Sequence, residues 1–210
     1  MKILIATTNP AKFHELKLFL SDVPHQFVSL KDMGITGAVE ETGATFEENA
    51  ILKAVHYARE SGLPAIADDG GFEVDALGGA PGVKSHRWIY GDRENTDDEL
   101  VAHTMKQMKD VPVSKRGAQL RLVLAFAVPG GKVATSEAFV RGIVAEKPSN
   151  VRTDGFPYRS LLFLPEIGKY YDHTVLTTEE TDKLNHRKRA VDLLKPKISA
   201  ILTRVGKDVQ

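Results

Sequence analysis

The sequence predicts an α/β fold, a mixed central sheet flanked by helices, built as a single domain over residues 1–210 with two lobes and the active cleft between them. Three observations predict it. Residues 2–7 are an apolar run that meets a polar turn and then a helical stripe, as the first parallel strand of such a sheet does. Further along, the hydrophobic period changes to two: residues 118–128 and 132–141 alternate and flank Pro129-Gly130-Gly131, a hairpin assigned to the second lobe. A chain of 210 residues is also long enough to bury a sizeable core.

The remaining elements follow in order. Residues 10–20 carry Phe13, Leu16, Phe19 and Leu20 on one helical stripe behind Pro10, and residues 26–30 read as a second strand. Thr45-Phe46-Glu47-Glu48 fits a capping box, so a long helix runs from there to about Ser61. Its expected core face is Phe46, Ala50, Ala54 and Ala58 with Ile51 and Val55, while Asn49 and Lys53 lie one turn apart on another face. Ala65-Ile66-Ala67 reads as the end of a short buried strand, after which Asp68-Asp69-Gly70-Gly71 opens a glycine-rich loop. Residues 96–108 form a polar-started helix, 111–117 a connection, 147–160 a loop, 161–163 a short strand, and 177–184 a helix start. Ala190, Val191, Leu194, Ile198, Ile201, Leu202 and Val205 make a terminal amphipathic helix that Pro196 is expected to kink.

Composition narrows the function classes. The absence of cysteine excludes disulfides, thiolate metal sites and a cysteine nucleophile, and fits the cytoplasm. Apolar runs are too short to span a bilayer, and the first one reaches Thr8-Asn9-Pro10 too soon for a signal peptide, so no membrane is expected. Formal net charge is zero but unevenly spread: residues 37–100 carry 14 Asp and Glu against 5 Lys and Arg, whereas residues 183–207 carry 8 Lys and Arg against 1 Asp. An acidic segment able to hold a divalent cation and a basic segment able to hold phosphate suit a metal-bound nucleotide. Nucleic acid is the rival reading of the basic segment. It is disfavoured because the cations lie on an amphipathic helix with no aromatic-studded basic strand beside them.

Four pieces carry chemistry. Thr7-Thr8-Asn9-Pro10-Ala11-Lys12 is a strand, turn and helix start that presents backbone N–H groups and an ammonium to an anion. The acidic pair Glu40-Glu41 lies where Lys53 can also point, and Asp68-Asp69 sits at a strand's carboxyl end, where open α/β sheets place ligands. Because strand neighbours face opposite ways, one Asp can meet a cation while the other braces the loop or acts as a base. Asn185-His186-Arg187 opens the basic helix. Singly, each is also an ordinary turn, a solvated lysine or a surface pair. His14, His25, His56 and His103 lack metal-ligand spacing, and His86, beside Arg87, Trp88 and Tyr90, reads as a packed loop histidine.

Jointly the ordered set is specific. Thr7-Thr8-Asn9-x-x-Lys12, Glu40-Glu41-Thr42-Gly43-x-Thr45-Phe46-x-Glu48-Asn49-Ala50-x-x-Lys53, Ala67-Asp68-Asp69-x-Gly71-x-x-Val74-Asp75 and Gly79-Ala80-Pro81-Gly82 strongly resemble the inosine triphosphate pyrophosphatase family, the non-standard purine NTP pyrophosphatases. The resemblance spans nearly the whole chain and weakens after about residue 150. It implies a cytoplasmic, usually homodimeric, Mg²⁺-dependent enzyme that hydrolyses ITP, dITP and XTP to the monophosphate and pyrophosphate. By the same resemblance, Thr7, Thr8, Asn9 and Lys12 hold the triphosphate, and Glu40, Asp68 and Asp69 serve the metal. Asp69 doubles as general base, Lys53 and Glu41 complete the catalytic set, and Asn49 and Gly70 join the substrate contacts. Phe156, Pro157, Tyr158, Arg159, Thr181, His186 and Arg187 form the base-binding half. Phosphoanhydride hydrolysis needs neutralised oxygens, aligned water and an ionised carboxylate, which Mg²⁺ and two lysines can provide.

The base-binding half departs from the family. Its Gly-Phe-Gly-Tyr-Asp-Pro motif is Gly155-Phe156-Pro157-Tyr158-Arg159-Ser160, which keeps the stacking aromatic and exchanges the acid for a base. Thr181 replaces the family's Lys, Asn185 its Ser, and Gly70 the Ser after the second Asp. These changes lead us to expect altered base selectivity, with the Arg159 fork supplying donors to purine O6 or N7. The alternatives are the same chemistry on a different or modified purine nucleotide, and a nucleotide-binding module of weak turnover.

Overall fold

The computed structural model describes residues 1–91, 93–172 and 174–205, the side chain of Val205 excepted. Its elements are β1 (Lys2–Ile5), α1 (Pro10–Phe19), β2 (Gln26–Ser29), α2 (Phe46–Ser61), β3 (Ala65–Val74), α3 (Asp97–Gln107), β4 (Gly117–Ala127), β5 (Val133–Val144), β6 (Leu162–Leu164), β7 (Lys169–Tyr170), α4 (Thr178–Leu184) and α5 (His186–Val205). The strands form one seven-stranded sheet in the order β2-β1-β3-β4-β5-β6-β7. β1 pairs parallel with β2 and β3, whereas β6 pairs antiparallel with β5 and β7, so the sheet is mixed as expected. The chain divides into two compact units. One holds Met1–Asp69, Leu122–Ala138 and the chain from Arg187 onward; the other holds Gly70–Arg121 and Phe139–His186.

The first unit is layered by strand alternation. Ile3 and Ile5 of β1 fall in one core with Ile66, Leu122, Leu124 and Phe126, covered by Leu16 of α1, by Leu20 at its end and by Ala190, Val191, Leu194, Ile198 and Ile201 of α5. Leu4 and Ala6 turn the other way, into a second core with Val28, Ala65, Ala67, Val123, Ala125 and Ala127 under Phe46, Ala50, Ala54, Tyr57 and Ala58 of α2. The small alanines of α2 bring that helix close to the sheet. Val55, expected on its core face, is instead 45% exposed, and Tyr57 takes its place in the core. Helix α5 continues unbroken through Pro196, because its apolar stripe is buried on both sides of the proline. The tip of the β4–β5 hairpin belongs to this unit and not to the second: its residues 122–127 are apolar on both faces and enter both cores.

The second unit packs Phe72, Val74, Leu100, Val101, Met108, Val140, Val144, Leu161 and Leu162 into a third core. Here the expected glycine loop is corrected: Asp68-Asp69-Gly70-Gly71 lies inside the ten-residue strand β3. Glycine is required at position 71 by close approach, not by turning. A Cβ there would overlap Ser85 Oγ and the carbonyl oxygen of Gly82. That hydroxyl accepts from Phe72 N at 2.9 Å and donates to Gly82 O at 2.6 Å, so it has no room to retreat. Residues 157–160, read as loop, form a buried 3₁₀ turn that Pro157 starts. We expect Gly71→Ala to lower stability by about 1–3 kcal/mol, read as a reduced urea midpoint with an unchanged m-value.

Candidate active site

The first unit carries a chain of charges organised by β3. Asp68 and Asp69 are neighbours on a strand, so their side chains leave opposite faces. Asp68 points to the side of α1 and α5, where its Oδ2 accepts from Lys12 Nζ at 3.0 Å and from Arg187 Nη1 at 3.0 Å. Arg187 Nε in turn donates to Glu15 Oε2 at 3.0 Å. Asp68 and Arg187 are each 3% exposed, and burial by itself would neutralise the carboxyl. The two cations outweigh that cost and hold Asp68 well below the usual carboxylate range.

Asp69 points toward α2. Its Oδ1 lies 3.3 Å from Lys53 Nζ, which also donates to Glu41 Oε1 at 2.6 Å. Among the described residues no hydrogen-bond partner meets Asp69 Oδ2, a buried oxygen; the Asn49 amide adds a favourable interaction without closing a hydrogen bond on it. Burial pushes the Asp69 carboxyl up, Lys53 only partly offsets this, and Glu41 adds to the rise. Burial would lower Lys53, but Asp69, Asp68 and Glu41 together hold it above its ordinary value.

The loop before α2 places Glu41. Thr45 caps the helix, and the Glu48 carboxylate reaches back to Ala44 N and Thr45 N at 2.6 and 3.2 Å. Asn49, 2% exposed, accepts from Gly43 N at 2.7 Å, and a Cβ on Gly43 would stand 2.6 Å from that same oxygen. The chain is thus folded back over the helix start, leaving Glu41 against Lys53, which stands two turns into the helix from its cap. Glu40 is exposed, with no ion pair to this chain of charges. Asp68 faces away from Asp69, and among the described residues no three His, Asp or Glu side chains converge to hold an ion.

At the start of α1 the expectation is corrected in one respect. The amides of Ala11 and Lys12 are not free for an anion, since the Oδ1 of Asn9, the helix cap, accepts from both, at 2.9 and 3.2 Å. Thr7 Oγ1 accepts from Asn9 N at 3.2 Å, and Thr8 is exposed. Lys12 is therefore the group of this turn that presents full charge.

The second unit brings together Phe156, Arg159, Tyr171 and His186. The Arg159 guanidinium lies 3.7 Å from the centre of the Phe156 ring and 5.9 Å from that of Tyr171. Tyr171 O–H meets His186 Nδ1 at 2.7 Å. Tyr158, expected to touch substrate, is core instead: its ring stacks on Phe72 with centroids 4.8 Å apart, and its hydroxyl donates to Ser85 O at 2.6 Å. Pro157 is buried, Thr181 half-buried on α4, and Gly70 is a strand residue. Glu15 and Tyr171 were missed. Glu15 stands one turn after Lys12 on the same helix face, a spacing that could have pointed to it; nothing in the local pattern marks Tyr171.

The fold and this charge chain define a mixed α/β protein with a buried carboxylate and lysine centre. Residues 3–197 match the sequence profile of the Ham1 family, and the chain belongs to that family, as its motifs lead one to expect. It is 41% identical over 196 residues to a dITP/XTP pyrophosphatase of Yersinia pseudotuberculosis, an alignment covering 92% of this chain and 95% of the relative. It is 40% identical over 195 residues to the dITP/XTP pyrophosphatase of Escherichia coli K12, with the same coverage. Among solved structures, a HAM1 protein from Coxiella burnetii superposes with TM-score 0.81 at 29% identity, covering 95% of this chain and 99% of that one.

Replacing Asp68 with Asn leaves Lys12 and Arg187 buried without their shared counter-charge, which should cost about 3–5 kcal/mol. Because the folded carboxyl titrates below the ordinary 3.8, its stabilisation is complete above that pH and lost as pH falls through the lower folded value. Denaturation midpoints of Asp68→Asn and the parent protein should accordingly converge at acid pH and separate above about pH 4.

Proposed function

We propose that this chain hydrolyses the non-standard purine nucleoside triphosphates ITP, dITP and XTP to the monophosphate and pyrophosphate, and so clears deaminated purines from the nucleotide pool. The observation that carries the reading is the buried, unpartnered Oδ2 of Asp69 beside Lys53 and Glu41. An oxygen desolvated without a partner is costly, so it suits a site completed by a ligand. The names of the relatives give the substrate class.

Each side of β3 takes its own part. Lys12 and Arg187, pre-ordered on Asp68, supply positive charge for the triphosphate without having to be oriented by it. Asp69 accepts a hydrogen bond from the attacking water and directs its lone pair to phosphorus. Lys53, held charged by the surrounding carboxylates, stabilises the oxygens that gain charge during cleavage. A divalent cation fits the orphaned oxygen: Mg²⁺ binds through one or two carboxylates with waters and phosphate oxygens completing its shell. Asp69 would hold it, with Glu40 or Glu41 of the adjoining loop as a second carboxylate; Asp68 serves instead as the counter-ion of Lys12 and Arg187. When bound, such an ion neutralises phosphate charge and lowers the pKa of a coordinated water.

The base lies against Phe156, with Arg159, His186 and Thr181 setting its preference. A cytoplasmic homodimer completes the reading, and no helix among the described residues is long and apolar enough to cross a membrane. This reading takes no nucleic acid as a partner of α5. Lys188 and Lys195 pair with Asp192, Lys195 also with Asp22, and Lys197 donates to Thr135 O, so these cations are engaged within the protein.

The direct test is release of pyrophosphate and monophosphate from ITP, dITP, XTP, GTP and ATP with Mg²⁺. Rapid release from the first three is expected, and Asp69→Asn should lower it about 10²–10⁴-fold while the fold is retained. Binding of ITP without release would contradict the reading. Arg159→Ala should change the ranking among ITP, XTP and GTP by roughly tenfold; an unchanged ranking would remove Arg159 from base selection.

A further inference from the structure

We propose that Tyr57 is a positioning residue: with Asn49 it clamps both ends of the segment 37–43 onto α2, so that Glu41 is presented to Lys53 and Asp69 on a fixed arm. The inference rests on the reading of this centre as the one that cleaves the triphosphate with a divalent cation. Residues 35–45 form neither helix nor strand, and they carry the acidic pair Glu40-Glu41. What fixes their course is α2. Asn49, Lys53 and Tyr57 stand at successive four-residue steps of that helix and so lie along one stripe.

Each member of the stripe holds a different point of the segment. Asn49 Oδ1 accepts from Gly43 N at 2.7 Å, Lys53 Nζ donates to Glu41 Oε1 at 2.6 Å, and the Tyr57 hydroxyl donates to Gly37 O at 3.0 Å. The main-chain N–H of Val39 adds a favourable interaction with the same phenol oxygen, and the Val39 side chain packs on the core that holds the Tyr57 ring. Followed from Asn49 to Tyr57, the helix meets the segment in the order 43, 41, 37, so the segment runs antiparallel to it.

Length alone does not hold it there. Six residues reach about 20 Å when extended, whereas the helical rise from Asn49 to Tyr57 is about 12 Å. The ion pair does not suffice either. The Glu41 side chain is 36% exposed, and a pair that water reaches contributes little by itself. The two end ties are better shielded, since Asn49 is 2% and Tyr57 3% exposed. With Gly43 and Gly37 both fastened, the slack is confined to the residues between them, and the Glu41 carboxylate stays within reach of Lys53 Nζ, which also lies 3.3 Å from Asp69 Oδ1. Loss of the tie at Gly37 frees one end. The arm then has to be ordered each time the cation binds, at a cost in affinity.

The test joins amide exchange with a metal titration. Tyr57→Phe keeps the buried ring and removes only the hydroxyl. In the full chain, exchange at the Gly43 amide, distant in sequence from the lost bond, should become about three- to tenfold faster. Loop amides exchange through local opening, so a change in overall stability does not move them. In the same variant the Mg²⁺ concentration that gives half-maximal pyrophosphate release at saturating ITP should rise about three- to tenfold, with kcat at saturating Mg²⁺ within about twofold of the parent value. A loss of folded protein would instead lower kcat and leave that concentration in place. Unchanged exchange at Gly43 in a folded Tyr57→Phe protein overturns the clamp, and an unchanged Mg²⁺ requirement overturns its service to the site. Should Tyr57→Phe fail to fold, Val39→Ala, which loosens the same segment from outside the helix, takes its place: faster exchange at Gly43 is expected, and unchanged exchange overturns the proposal. If the parent protein releases no pyrophosphate from ITP, the functional reading fails, and exchange still decides whether the segment is one arm.

Discussion

Adjacent buried carboxylates repel each other unless the backbone separates them, and the alternation of β3 does so. Asp68 and Asp69 leave the strand on opposite faces, one toward α1 and α5, the other toward α2. Each face then needs its own cation. Lys12, Arg187 and Lys53 therefore come from three helices that are far apart in sequence, and their packing has to satisfy these charges as well as the apolar cores. The divergent electrostatics of the two acids follow directly: two cations outweigh the burial of Asp68, while one lysine shared with Glu41 does not outweigh that of Asp69.

The two sides of β3 differ in how far the protein satisfies its own charges. The Asp68 side is closed: its oxygen is doubly bonded, Arg187 is held again by Glu15, and Lys12 stands one turn inside a helix whose first amides are capped by Asn9. The Asp69 side is left with an oxygen that no described group satisfies. The first arrangement is satisfied within the protein, and the second is satisfied only in part. A capped helix start gains stability but leaves fewer amides for an anion, so anion binding in this turn falls to side-chain charge.

Much of this was legible in the sequence. The capping box at Thr45, the polar start at Thr96, the apolar run of β1 and the apolar stripe of α5 each announced their element, since local propensity and tertiary packing agree there. The ordered motifs named the family, and strand periodicity foretold that Asp68 and Asp69 would part. What misled was residue type without context. Glycines at 70 and 71 signalled a turn, yet Gly71 exists to admit Ser85, a contact 14 positions away that no local window contains. Tyr158 looked like a ligand contact because it follows Phe156, but its hydroxyl found a carbonyl in the chain near residue 85. Asp68 resembled a metal ligand by motif; its facing, which turns it to Lys12 and Arg187 and away from Asp69, depends on contacts across the fold that the motif does not contain.

The measurement that tests the account most directly is a pair of double-mutant cycles in urea, one combining Asp68→Asn with Arg187→Gln and the other Asp69→Asn with Arg187→Gln. Opposite facing of the two acids predicts a coupling of about 0.5–3 kcal/mol in the first cycle and additivity within about 0.5 kcal/mol in the second. Equal coupling in both cycles, or none in the first, would contradict the division of labour across β3.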